Sequence, residues 1–208
     1  MRTVRGVIVG QFGRPSGLLG LLAGYVMQMR SSNRLRSERT LELLNLQPED
    51  RVLEVGFGPG LAVAQAAEIA TSGQVVGLDH SELMLRQARR RNAKAIRRGR
   101  VELILGSAEA LPRFAERFDK VFAVNVYMFW EAPEAVLRGL RSVMKPGAVI
   151  ALTLQPRRSG ATVDDTRAMA EQMAASLRAA GFDGVRAEFL EMEPVAATCV
   201  LGRVPPPA

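Results

Sequence analysis

From residue 51 onward the chain alternates short β-branched runs with helical stretches, and that rhythm leaves few folds open. Apolar runs at 51–55, 74–78, 101–105, 120–125 and 148–154 are separated by helical patterns at 61–70, 81–95 and 133–143, the last stopped by a Lys145-Pro146-Gly147 turn. Strands joined through helices pair in parallel, with each helix crossing over a sheet face. A helix over 164–180 and two strands, 185–192 and 195–204, then break the rhythm. With almost nothing between them, those two strands form an antiparallel hairpin. The fold expected is α/β: a doubly wound, seven-stranded, mostly parallel sheet with helices on both faces and a reversed C-terminal hairpin.

Ahead of the first strand, Leu18, Leu21, Leu22, Tyr25, Val26 and Met29 recur at three- and four-residue steps and predict an amphipathic helix. A second helix over 33–44 ends before Pro48 with Leu41 and Leu44 on its inner side. The chain of 208 residues has the length of one domain: a helical cap at 1–45, an α/β core at 46–204 and a frayed proline tail at 205–208. The apolar run at 18–29 is broken by Gly20 and Gly24 and is too short to cross a bilayer. Peripheral membrane contact through its apolar stripe is the most it offers. No small-residue cleavage site follows Arg2 and Arg5, so a cytoplasmic protein is expected.

A net charge of +7 draws polyanions, but the densest basic run, Arg86 through Arg100, is interleaved with Gln87, Ala88, Asn92, Ala93 and Ala95. That pattern reads as a solvated helix face, and nucleic acid is not the expected partner. Cys199 is the only cysteine and His80 the only histidine, which excludes an internal disulfide and any metal site built on several thiolates or imidazoles.

The segment Val52-Leu53-Glu54-Val55-Gly56-Phe57-Gly58-Pro59-Gly60 leaves a strand and opens a helix. Glycines there let the backbone turn sharply and approach a ligand. Glu54 argues against a pyrophosphate, whose charge it would oppose, and favours a cationic or zwitterionic ligand. Asp79 ends the second strand nineteen positions after Gly60, where a carboxylate accepts hydrogen bonds from both hydroxyls of a ribose. The structural alternative is a tight turn plus a capping aspartate.

With these residues the chain resembles the class I S-adenosylmethionine-dependent methyltransferases, and is similar to the small ubiquinone and menaquinone biosynthesis methyltransferase-like group. The resemblance spans residues 41–154 and includes Val76-Gly77-Leu78-Asp79-His80-Ser81, Gly106-Ser107-Ala108-Glu109-Ala110-Leu111-Pro112, Phe118-Asp119-Lys120-Val121 and Lys145-Pro146-Gly147. It implies S-adenosylmethionine as cofactor and S-adenosylhomocysteine as product, and the sparse acidic residues around Asn125 count against the metal-dependent type. It places the methionine part on Gly56, Phe57 and Gly58 below the Gly60 turn, the ammonium near Glu54, the ribose on Asp79 and the adenine between His80 and Ala108. Ser107 stands where the family commonly has aspartate, so the adenine amino group meets a neutral acceptor.

Asn125-Val126-Tyr127-Met128-Phe129-Trp130 follows a strand and points at the reaction centre. Asn125 would line the methyl-transfer channel and Tyr127 would hydrogen-bond the acceptor. The alternative is that Tyr127, Phe129 and Trp130 pack against neighbouring helices. Methyl transfer by in-line displacement needs alignment more than a general base, and His80, beside Asp79, is expected to flank the cofactor. The acceptor expected is a small, largely apolar molecule. The competing functions are a nucleic-acid methyltransferase, a nucleotide-cofactor oxidoreductase and a non-catalytic methyltransferase-like binding module.

Overall fold

The computed structural model describes residues 31–158 and 160–206. The helix expected over 18–29 lies outside the described residues. The first described helix, α1, is Ser31–Leu44, followed by β1 Arg51–Val55, α2 Leu61–Ile69, β2 Gln74–Asp79, α3 Glu82–Arg91, α4 Ala93–Arg97 and β3 Val101–Leu105. Then come β4 Phe118–Val124, a 3₁₀ turn Tyr127–Phe129, α5 Pro133–Ser142, β5 Met144–Leu154, α6 Val163–Ala179, β6 Asp183–Leu190 and β7 Ala197–Arg203.

The sheet order is β3-β2-β1-β4-β5-β7-β6. Pairing is parallel from β3 to β5, and β7 runs antiparallel to both β5 and β6. Successive strand residues face opposite sides. Leu53, Val55, Val76, Leu78, Val121, Ala123, Ile150 and Leu152 fill the core beneath α5 and α6, while Val52, Val75, Phe122, Ala151 and Leu201 fill the core shared with α1, α2 and α3. Both faces are thus covered, which is why the central strands read as nearly unbroken apolar runs. On the outermost strand, β6, exposed Arg186 and half-buried Glu188 pair across a turn of the pleat at 3.5 Å, and charges on an edge discourage pairing with a further strand.

Three local expectations are corrected. The helix expected over 81–95 divides at Asn92, whose buried amide donates at 3.0 Å to both Ala88 O and Gly60 O and so ends α3 while holding the glycine loop. The turn expected at 145–147 is a bulge within β5. Met144 pairs with Phe118 and Val149 with Lys120, so the intervening residues loop out. The two last strands are separated by residues 191–196 rather than joined directly, with a cis bond at Glu193-Pro194.

The strand order reverses between β1 and β4, which pair in parallel but send their crossovers to opposite edges of the sheet. A doubly wound sheet opens a crevice at this switch point, outside the carboxyl ends of its strands. Glu54, Asp79 and Asn125 stand at those ends.

Candidate cofactor site at the strand ends

The loop after β1 holds three glycines in the left-handed region, with φ of 75° at Gly56, 51° at Gly58 and 76° at Gly60, a conformation that a Cβ strains. Each serves a different purpose. A Cβ on Gly56 would run into the Val126 side chain, so this glycine lets the loops after β1 and β4 close on one another. A Cβ on Gly60 would lie 2.7 Å from Ala88 Cβ, so this one seats α2 against α3. Only Gly58 faces open space, with nothing within 4 Å of its Cβ position. Of the three, it alone leaves room for a ligand against the backbone.

Asp79 reaches across to this loop. Its Oδ2 accepts from Gly58 N–H at 2.8 Å and its Oδ1 from Ser81 N–H at 2.9 Å. One side chain therefore fixes both the glycine loop and the start of α3. Burial raises the Asp79 carboxyl above its ordinary range, and the N–H groups of Ser81 and Gly58 work against that rise. An ionised carboxylate has about four lone-pair sites, so these N–H groups leave it capacity for a further hydroxyl donor.

Glu54, 3% exposed at the end of β1, has an Oε2 that is fully buried with no hydrogen-bond partner. Its carboxyl is pushed well above the usual range, first by burial and then by the nearby Asp79 charge, against the opposing pull of the Val63 N–H. An orphaned acidic oxygen beside a second buried carboxylate suits a cation. The ammonium and sulfonium of S-adenosylmethionine meet that demand, and a pyrophosphate would worsen it. The donor set therefore fits the cofactor that the fold implies.

The other sequence-nominated residues divide. Phe57 turns its ring inward against Gly77, leaving only its main chain for a ligand. His80 is exposed beside Asp79, and Ser107 and Ala108 are half-buried beyond β3. Ser107 Oγ donates to the Glu109 carboxylate and accepts from the Glu109 N–H at 3.2 Å. The neutral hydroxyl read from the sequence is thus hydrogen-bonded to the carboxylate of exposed Glu109. The Ser-x-Glu spacing was the available signal.

Asn125 sits at φ 55°, and its Oδ1 accepts from Gln155 N–H at 2.9 Å, binding the end of β4 to the end of β5. Gln155, buried and not singled out by sequence, also donates to Glu193 O and Val195 O and accepts from Arg36 of α1. Tyr127 corrects an expectation. Its hydroxyl meets Ser176 Oγ at 2.9 Å in the core and its ring packs edge-on against Trp130, so it presents no exposed hydroxyl to an acceptor. Packing, the alternative, holds for Tyr127 and Trp130 but not for the whole segment. Met128 and Phe129 remain 41% and 40% exposed on the same turn.

Comparison with known proteins gives the family. The family model described as "Methyltransferase domain" matches residues 52–147. An uncharacterized methyltransferase of Bacillus subtilis, YdaC, is 34% identical over 185 residues, covering 89% of this chain and 99% of the relative. A demethylmenaquinone methyltransferase of Symbiobacterium thermophilum is 35% identical over 109 residues, half of this chain and 41% of that enzyme. In fold, the crystal structure of a SAM-dependent methyltransferase from Aquifex aeolicus superposes with a TM-score of 0.68 at 21% identity, covering 86% of this chain and 97% of the other. With a methyltransferase domain matched and a relative aligned over nearly its whole length, the chain belongs to the class I S-adenosylmethionine-dependent methyltransferases.

Proposed function

We propose that the chain methylates a small, largely apolar acceptor that lies over the turn following β4, with catalysis by alignment rather than by a general base. The observation that carries this reading is the exposure of Met128 and Phe129 beside the cofactor crevice. Two large apolar side chains left exposed on one turn mark a surface that gains by covering. The demethylmenaquinone methyltransferase relative acts, by its name, on demethylmenaquinone, a small-molecule acceptor, which supports a small-molecule acceptor here.

When bound, the cofactor supplies an electrophilic methyl group on a sulfonium. In this reading the Gly58 backbone gives the methionine part close approach, Glu54 neutralises its ammonium and Asp79 accepts the ribose hydroxyls. His80 and Ala108 flank the adenine, and the Ser107–Glu109 pair receives its amino group. Asn125 acts as a positioning residue, since its side chain is committed to Gln155 N–H. Fixing an acceptor atom in line with the methyl removes much of the entropy barrier, and no side chain on the turn needs to move a proton.

The test is turnover of labelled S-adenosylmethionine against a panel of apolar and polar acceptors, read by product mass. Apolar acceptors gaining one methyl group support the proposal. Turnover confined to polynucleotides or to charged polar acceptors refutes it.

A further inference from the structure

At the opposite end of the sheet, where β4 and β5 begin, a cavity of about 240 Å³ is lined by Arg117, Arg138 and Arg141, with Met144 and Val204 among its apolar walls. No acidic side chain lines it. Arg141 is half-buried, and its Nε is buried without a hydrogen-bond partner. Arg117 makes no ion pair among the described residues. Arg138 meets only Glu134, at 3.8 Å on the exposed face of α5, a kind of contact that contributes little.

Three guanidinium groups around one small concavity repel each other unless an anion joins them. The C-terminus of α5 carries a partial negative charge of only about half a unit, too small to offset three full ones. We infer that this cavity binds a compact phosphoryl anion, either free phosphate or the phosphate group of a small molecule, at a site separate from the methyl-transfer crevice. Planar guanidinium forks match the oxygens of a tetrahedral anion.

A polynucleotide fits less well, because the molecule's positive charge is not one stripe. Arg89, Arg90 and Arg91 lie on α3, which packs on β2 and β3, far along the sheet from the β4–β5–β7 corner. Arg91 is moreover tied to Pro59 O at 3.0 Å.

The full chain, labelled with ¹⁵N, is titrated with inorganic phosphate and with glycerol phosphate while the arginine side-chain Nε–Hε resonances are followed. Saturable shifts of Arg117, Arg138 and Arg141 at millimolar concentration support the site. The two titrants distinguish the free ion from an esterified phosphate. Arg141→Gln and Arg117→Gln should each weaken binding about tenfold, or ~1.4 kcal/mol, with unchanged circular dichroism. Affinity for S-adenosylhomocysteine should stay the same, which separates failure here from failure of the cofactor assignment. Absence of saturation, variants that bind as tightly as the parent chain, or shifts produced only by duplex DNA would overturn the inference.

Discussion

Replacing Glu54 by Gln keeps the shape of the protonated carboxyl but removes the carboxylate that, in the proposed site, meets the cofactor's ammonium. In the free protein the Glu54 carboxyl lies well above its ordinary value of 4.5, mainly through burial. The folded state therefore holds this proton over a range of pH in which the unfolded chain has released it. The stability so gained is complete below the unfolded value and is lost as pH rises through the folded one. In that window one proton is worth about 1.4 kcal/mol per pH unit. For a chain of this size that is about 3–5 °C in Tm per unit. Asp79, also raised, contributes in the same sense and is untouched by the substitution. Glu54→Gln should thus flatten the decline of Tm with pH by one proton's share while lowering affinity for S-adenosylhomocysteine about 10- to 150-fold, the worth of a charge-assisted hydrogen bond of ~1.5–3 kcal/mol. Scanning calorimetry from acid to mildly alkaline pH, paired with titration calorimetry, measures both. Parallel Tm–pH curves together with unchanged affinity would refute the reasoning.

Asp79→Ala should cost stability as well as binding, since two backbone N–H groups lose their acceptor; about 3–6 kcal/mol in all is expected by denaturant titration, with S-adenosylhomocysteine binding lost. Gly56→Ala should destabilise by about 1–3 kcal/mol through its positive φ and the clash with Val126, and Val126→Ala should restore part of that in chemical denaturation. Phe129→Ala should raise KM for an apolar acceptor about fivefold, from ~1 kcal/mol of lost half-buried surface, while cofactor affinity measured by calorimetry stays level. Tyr127→Phe should cost about 1 kcal/mol of stability from the lost Ser176 bond and leave kcat unchanged; a large fall in kcat would return that hydroxyl to the active site.

The sheet was legible because its strands are buried on both faces and its helices are separated by glycine and proline turns, so periodicity and punctuation agreed. Asp79 and the glycine loop were legible for a related reason: their spacing and positions follow from strand and helix lengths. Distinguishing the glycines was not, because Gly56 and Gly60 are set by Val126 and Ala88, residues remote in sequence. Gln155, and the partners of Asn125 and Tyr127, escaped for the same cause. The side chains of Asn125, Gln155 and Tyr127 are satisfied by Gln155, Arg36 and Ser176 across long stretches of chain, and local pattern carries no record of such partners. The division of the helix at Asn92 likewise depends on a bond to Gly60, thirty-two positions away.

The central claim is that the cofactor lies over the carboxyl ends of β1 and β2, its positive charge on Glu54 and its ribose on Asp79. A crystal structure of the chain with S-adenosylhomocysteine tests this directly. The account predicts ligand density against Gly58, both ribose hydroxyls on the Asp79 carboxylate, and a polar neighbour, the ammonium or a water bound to it, on the now-orphaned Glu54 Oε2. Density elsewhere, or a ligand seated here with Glu54 Oε2 still lacking any partner, would contradict it.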